Sequence, residues 1–392
     1  MSDDTDYGVP REEQEVDVLA RIISESFHAP VESIQERFPK VGPDNLRVYR
    51  RAGGVVAGLW LIPMAQWFGG KSVPMTGIAV VGVGPEHRGR GAAVGLMKRM
   101  LQELHESEVP LSGLYPATQS LYRLAGYECS GGRFQVEMAP RDIRVKDRGL
   151  SLRPAGPDDR QAIEDVYRVH AVGFNGHLDR GSYVWDRVYE FRKQPATGYV
   201  VEEEGRITGY VFVLQQGREP YGYNLQLTDL TALTPGAGRR ILSFLADYRS
   251  MVEKITWFGG PNHPVLMLLP EPYFSLSLQM YWMIRIVRVA AALEGRGYDP
   301  GFRGALHLEV EDDVIPDNAG RYILEVEDGS ARVLRGGNGN LRLHIRALAP
   351  LYSGFLSPAS LRTAGFLEGD DESVRTASGF FAGSTPWMPD MF

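Results

Sequence analysis

Between Val16 and Phe27 the apolar residues Val18, Leu19, Ile22, Ile23 and Phe27 recur at helical spacing, which predicts an amphipathic helix. Two β-rich stretches follow, Asn45 to Arg51 and Val55 to Pro63, parted by Ala52-Gly53-Gly54 as in a hairpin. Gly69 and Gly70 mark a second turn, and Thr76 to Val83 is the next strand. The segment Gly84-Pro85-Glu86-His87-Arg88-Gly89-Arg90-Gly91 then opens a helix with Val94, Met97, Leu101 and Leu104 on one face. A short strand at Pro110 to Leu114, a helix around Ser120 to Ala125, a turn at Gly126 and a strand through Phe134 to Met138 complete this first unit.

The charged, polar run from Pro140 to Gly149 reads as a linker. Beyond it the plan recurs, with a strand and polar turn over Leu152 to Asp159 and a helix from Arg160 to His170. Strands at Gly198 to Glu202, Gly209 to Gln215 and Leu225 to Ala232 and a helix from Gly238 to Tyr248 follow. After a strand-like run from Tyr281 the pattern shifts near Val287. Leu306, Leu308 and Val310 alternate with polar residues, as do Tyr322, Leu324 and Val326, with Asp328-Gly329 as a tight hairpin turn. Leu341, Leu343 and Ile345 precede two helical stretches, Ala347 to Phe355 and Ser357 to Ala364. At roughly 150 residues per domain, the chain divides into three units, expected at 1–147, 148–287 and 288–392. The fold class is α+β, mixed sheets with flanking helices.

One loop carries chemistry. A helix N-terminus offers unpaired N–H groups and a positive dipole end, and Arg88-Gly89-Arg90-Gly91-Ala92-Ala93 places small residues where a side chain would block a pyrophosphate. Arg88 and Arg90 add charge. Taken alone, the Arg-x-x-Gly-x-Ala pattern also fits a basic surface turn. Its place between the apolar strand ending Val81-Gly82-Val83 and an amphipathic helix favours phosphate binding. A dinucleotide Gly-x-Gly-x-x-Gly fails at His87, and no Gly-Lys-Ser/Thr of a Walker loop is present.

Composition narrows the options. The chain is 43% apolar with a formal charge of −7, so nucleic acid is not an expected partner and cationic substrates are mildly favoured. No apolar run suggests a membrane span, the acidic stretch from Met1 to Pro10 lacks the features of a secretory signal, and the single cysteine, Cys129, fits a reducing compartment. A cytoplasmic location is expected. The eight histidines show no His-Glu-x-x-His spacing and there is no Gly-x-Ser-x-Gly elbow, so no metal is expected.

The succession of strand, Arg-x-x-Gly-x-Ala loop, helix and strand, followed by Ser120-Leu121-Tyr122-Arg123-Leu124-Ala125-Gly126-Tyr127, resembles the core of the GNAT acetyltransferases. With Leu-Arg-Pro-Ala-x-Pro opening the second unit, Ala291 to Tyr298 and Leu351-Tyr352-Ser353-Gly354, nearly the whole chain resembles the enhanced intracellular survival family. That family joins two GNAT folds to a sterol-carrier-protein-like domain. The resemblance implies an N-acetyltransferase using acetyl-CoA, with the pantetheine arm on Val81, Gly82 and Val83 and the pyrophosphate on Arg88, Gly89, Arg90, Gly91, Ala92, Ala93 and Val94. Ala117 and Thr118 fall where the family also touches CoA, in place of its commoner Ser-Glu pair.

Tyr122 takes the place of the family's general acid, and the α-carboxylate of Phe392 that of a base reaching in from the chain's own end. An α-carboxylate, with a reference pKa of about 3.5, orients an ammonium better than it deprotonates one. A frayed tail is the ordinary state of a terminus, but Trp387, Met388, Met391 and Phe392 favour docking. The second unit reads Thr234-Pro235-Gly236-Ala237-Gly238 at the loop position, without the arginine, and is expected to lack acetyl-CoA. The implied acceptor is a primary amine of a polycationic, aminoglycoside-like small molecule. Two alternatives stay open: transfer to protein lysine ε-amines, and a non-enzymatic protein that binds acetyl-CoA and, in its third unit, a lipid. Family likeness also implies a homo-oligomer, hexameric in relatives.

Overall fold

In the computed structural model, which describes residues 5–217 and 221–392, one mixed sheet of thirteen strands runs through the first two units. Its order is Thr5–Gly8, Leu46–Arg51, Gly54–Phe68, Lys71–Val83, Leu111–Leu114, Ser275–Ile286, Glu128–Met138, Val252–Phe258, Tyr223–Ala232, Arg206–Gly217, Thr197–Glu203 and Ser151–Pro154. The short strand Leu178–Asp179 adds to Gly54–Phe68.

The order of strands in space departs from their order in the chain at the centre of this sheet. Ser275–Ile286, from the end of the second unit, lies against Leu111–Leu114 of the first, with Met283 opposite Leu114 and Ile286 opposite Leu111. Glu128–Met138, from the end of the first unit, reaches across to Val252–Phe258 of the second, with Ile255 opposite Met138. The two long strands pair with each other, and register shifts at Leu278/Met280 and Trp282/Met283 re-aim the strand between the halves. Each half of the sheet is thus closed by a strand donated from the other.

Helices cover both halves. Glu13–Phe27 buries Leu19, Ile22 and Ile23 against the first half, and Ala92–Glu106 buries Leu96, Met97, Met100, Leu101 and Leu104. Val94, expected on that buried face, is only partly covered. Arg160–Ala171 and Pro235–Ala246 pack on the second half. The polar stretch after Met138 is less of a free linker than its composition suggests, since Ile143 and Val145 are buried in the second core.

The C-terminal region has its own five-stranded sheet, in the order Ser330–Arg335, Gly320–Glu327, Gly304–Glu311, Leu341–His344 and Leu367–Gly369. Asp328 and Gly329, at φ 49° and 74°, make the tight hairpin that Asp-Gly encodes. Ile345, grouped by alternation with the strand before it, instead opens the helix Ile345–Ser353. The helices Val289–Gly295, Pro358–Thr363 and Asp371–Phe380 complete the layer. The fully buried pair Arg285–Asp312, at 2.6 Å, ties the exchanged strand to this region. Asn318 Nδ2 also donates to the Asp312 carboxylate, at 3.0 Å, so the buried charges are hydrogen-bonded as burial requires.

Candidate active site

The strand Lys71–Val83 carries the site. Opposite Leu59, between the pairs Gly58–Gly82 and Trp60–Ala79, it holds one residue too many, a β-bulge at Val80–Val81. Val80 sits at φ 49°, an uncommon conformation for a β-branched residue, and such strain collects where a backbone group must be turned toward a ligand. Val81 and Val83 are partly exposed beyond the bulge, while Gly82 is buried under the first helix, where a Cβ would come within 3.1 Å of Ile22 and Ser26.

The loop after the strand is open. Gly89 and Gly91 have φ of 72° and 76°, and a Cβ built on either would meet nothing within 4 Å, so conformation and not crowding explains these glycines. Gly91 is the N-cap of Ala92–Glu106, and no side chain caps that helix. Its first N–H groups are therefore available to an anion. Arg51 donates to the Arg90 carbonyl at 3.3 Å and Arg88 Nε to the Val83 carbonyl at 3.3 Å, pinning the loop. Both Arg88 and Arg90 are exposed, and neither has a carboxylate partner among the described residues. The residues present suit a pyrophosphate: free amides, two exposed guanidinium groups without a carboxylate partner among the described residues, and no side chain in the way.

The second unit offers a direct contrast. There the equivalent helix is capped by Thr234, whose Oγ1 accepts from the Ala237 amide at 3.1 Å and donates to Glu203 at 2.7 Å. Leu150 and Leu268 close over Gly236 and Gly238, with a Cβ at Gly238 only 2.4 Å from Leu268. A carboxylate and two leucines stand where the first unit has open space.

Tyr122 lies on the helix Gln119–Arg123, is 5% exposed, and packs edge-on against Tyr127 at 6.2 Å. Its hydroxyl has no hydrogen-bond partner among the described residues, and burial pushes its pKa up to about 12. The phenol therefore stays protonated at neutral pH, as a proton donor must. Tyr127 is held differently, its hydroxyl on Ser112 Oγ at 2.6 Å. Ala117 and Thr118, by contrast, are exposed just before that helix, and Thr118 Oγ1 is engaged with Ser120 at 3.1 Å.

The chain end is docked, not frayed. Gly132 N–H donates to the Pro386 carbonyl and Met388 N–H to the Gly132 carbonyl, each at 3.2 Å, so the tail pairs briefly with the exchanged strand. Trp387, 1% exposed, sits edge-on to His177 at 4.3 Å and over Gly260, where a Cβ would be only 2.3 Å from the indole. Phe392 is 8% exposed; its ring lies 5.7 Å from that of Tyr115 and against Gly77, where a Cβ would come within 2.7 Å. Phe392 therefore meets the bulged strand Lys71–Val83 and the segment leading to Tyr122, which sequence separation hides.

Sequence reasoning passed over Gly77, although a glycine inside a strand is a known mark of close approach. It also passed over Tyr115, whose hydroxyl donates to the Asp390 carbonyl at 2.6 Å, and Arg133, whose Nε donates to the Pro389 carbonyl at 3.0 Å. No spacing rule points to either. Among the described residues no group of three or more His, Cys, Asp or Glu could hold a metal ion, and no helix is long and apolar enough to cross a membrane.

Comparison with known proteins adds to this geometry. Residues 10–130 and 176–288 each match an acetyltransferase (GNAT) domain, and residues 289–389 match a sterol carrier protein domain. A solved structure of a GCN5-related N-acetyltransferase from Anabaena variabilis is 35% identical, with a TM-score of 0.94 over 99% of this chain and 100% of that one. An uncharacterized N-acetyltransferase of Streptomyces avermitilis is 29% identical over 83% of each chain. N-acetyltransferase Eis of Mycobacterium tuberculosis is 26% identical over 80% of this chain and 79% of its own.

Proposed function

Because the chain belongs to the GNAT N-acetyltransferases, in the enhanced intracellular survival family, we propose that its first unit transfers acetyl from acetyl-CoA to a primary amine of a small molecule. The observation that carries this reading is the contrast between the two helix N-termini, one open and flanked by exposed arginines, the other capped and closed. Acetyl-CoA supplies the thioester. In this proposal Gly89 to Val94, with Arg88 and Arg90, hold the pyrophosphate, Val81 to Val83 line the pantetheine arm, and Ala117 and Thr118 flank it. The bulge at Val80–Val81 turns backbone donors toward the thioester oxygen, stabilising the charge that develops there. Tyr122 donates its proton to the leaving thiolate. The α-carboxylate of Phe392 orients the acceptor ammonium and takes its proton.

The net charge of −7 supports a polycationic, aminoglycoside-like acceptor. One local observation favours a singly charged amine, such as a lysine side chain, instead. Arg133, stacked 3.2 Å from the centre of the Phe258 ring, donates to the Pro389 carbonyl and so sets a positive charge close to Phe392. CoA release measured with tobramycin, spermidine and N-acetyl-lysine amide separates the readings. The highest kcat/KM is expected with a polycation; turnover of the lysine compound alone would transfer the assignment to lysine, and no release with any amine would overturn the enzymatic reading in favour of a binding protein. Cytoplasmic residence and a homo-oligomeric, hexameric assembly complete the proposal, the former supported by the single cysteine.

The loop assignment is tested at Gly91. Replacing it by Val places a β-branched residue at φ 76° and is expected to raise the KM for acetyl-CoA about tenfold or more, the cost of a left-handed conformation being about 1–2 kcal/mol. An unchanged KM would remove the loop from the cofactor site.

A further inference from the structure

The second unit has a centre of its own, and it is filled with fixed charges. Its strand Tyr223–Ala232 carries a bulge at Thr228, between the pairs Phe212–Asp229 and Val213–Leu227, in nearly the same place as the bulge of the first unit relative to the strand end. Next to that bulge, where Val81 stands in the first unit's strand, the second has Asp229. The Asp229 carboxylate receives Arg180 and the Tyr210 hydroxyl, the latter at 2.7 Å.

Arg180 turns its other face to the chain's end. Its Nε and Nη2 reach the two carboxylate oxygens of Asp390 at 3.0 and 2.9 Å, a two-point contact, and its guanidinium lies 3.6 Å from the centre of the Tyr167 ring. The Tyr167 hydroxyl, which donates to the Leu178 carbonyl at 2.8 Å, is also 3.4 Å from Asp390 Oδ2. Arg180, Asp229 and Asp390 are all at least nine-tenths buried.

Asp390 is consequently gripped from both halves of the sheet. Its side chain is held by the second unit through Arg180, and its backbone carbonyl by the first through Tyr115. Phe392 follows two residues later, and two residues span at most about 7 Å. Fixing Asp390 therefore confines the terminal carboxylate to a small volume beside Gly77 and Tyr115.

We propose that Arg180, held in place by Asp229, is a positioning residue: it clamps Asp390 so that the α-carboxylate of Phe392 is presented to the first unit's active site. The second unit's centre, whose loop is capped and closed, serves instead as the mount for part of the first. This deepens the reading that the carboxylate takes part in transfer and rests on it.

Two variants test the clamp. Arg180→Gln removes it outright but strands two buried carboxylates, so Asp390→Asn, which leaves the Arg180–Asp229 pair intact, is the variant least exposed to misfolding. Digestion with carboxypeptidase A reads the tail directly, through the rate at which Phe392 is released from the full chain. For Asp390→Asn that rate is expected to rise about tenfold or more, the effect of losing a charge-assisted hydrogen bond, and kcat with spermidine to fall by a similar factor. The KM for acetyl-CoA should stay within about twofold, and an unchanged urea unfolding midpoint rules out loss of folded protein as the cause of the lower kcat. Release and kcat equal to those of the unaltered chain would overturn the clamp.

Adding one glycine after Phe392 addresses the underlying reading separately. Loss of activity in that chain supports a working carboxylate. Full activity would discard the carboxylate, and with it the catalytic purpose of the clamp, while carboxypeptidase release from Asp390→Asn would still decide whether Arg180 holds the tail.

Discussion

Replacing Tyr122 by Phe is expected to lower kcat by about a hundredfold while leaving acetyl-CoA binding and folding nearly unchanged. General acids contribute about a hundredfold to ten-thousandfold, and the lower end applies here because a thiolate, with a reference pKa near 8.5, leaves more readily than an alkoxide or an amine. Stability is spared for a structural reason: the hydroxyl has no partner among the described residues, so its loss strands no buried group. The pH profile gives an independent check. With its pKa pushed up to about 12 by burial, Tyr122 remains a proton donor across the whole neutral and mildly alkaline range. The acceptor amine, by contrast, must lose a proton before it attacks, and alkylamines have reference values near 10.4. Consequently kcat/KM should rise from pH 7 to pH 9 without an alkaline fall. Unchanged turnover in Tyr122→Phe, or a fall near pH 8 that disappears in that variant, would contradict the assignment.

Mild acid is expected to unfold the second unit and release the tail. His170, His177 and His263 cluster around Trp387, with ring separations of 5.5 Å between His170 and His177 and 5.9 Å between His170 and His263. Burial drives all three below their ordinary value, His170 to about 3 and His263 to about 4, and neither ring nitrogen of His177 has a hydrogen-bond partner among the described residues. A buried neutral histidine takes up its proton only on unfolding, so the unfolded chain binds more protons below about pH 6.5 and stability falls with pH. Three such groups together cost about 6 kcal/mol between pH 7 and pH 5, a large part of the roughly 5–15 kcal/mol that holds a domain together.

Nearby carboxylates do not reverse the sign. Burial also raises Asp390, against the pull of Arg180, so its protonation in the folded state offsets at most one of the three protons. Burial alone would raise Asp229 too, but Arg180 and Tyr210 outweigh it, and its contribution is lost only at still lower pH. Urea unfolding followed by tryptophan fluorescence at pH 7 and pH 5 measures the difference. His177→Phe should recover about a third of the loss, since Phe keeps the stacking on Phe174, 4.9 Å away, without a titrating group. Equal stability at the two pH values would show that the cluster is solvated or charged.

Local signals read well wherever one stretch of chain settles its own structure. The helix Ala92–Glu106, the hairpins at Gly53 and Asp328, and the loop at Gly89 and Gly91 all follow from periodicity or from the backbone freedom of glycine. The bulge at Val80 escaped because valine carries no mark of a left-handed conformation; the partner strand imposes it. The strand Val252–Phe258 and the helix Asp371–Phe380 were missed, the former a short run broken by Glu253, Lys254 and Thr256 and the latter rich in polar residues. The Arg180–Asp229–Asp390 arrangement spans positions far apart in the chain, and no spacing rule connects them. Tyr122 stood out by its interval after the loop, whereas Gly77 and Tyr115 gain meaning only once Phe392 lies against them.

The exchanged strands also set a timetable for synthesis. The half of the sheet that bears Tyr122 needs Ser275–Ile286 between Leu111–Leu114 and Glu128–Met138, and that strand leaves the ribosome only after nearly the whole second unit has been made. Domains often fold one after another as the chain emerges, but here the first must wait with the edge of Leu111–Leu114 unpaired. The nascent chain thus passes through a stage in which an open sheet edge is exposed to other chains. A circular permutant opened between Met138 and Ser151 would not escape it, because each half borrows from the other in either order of synthesis.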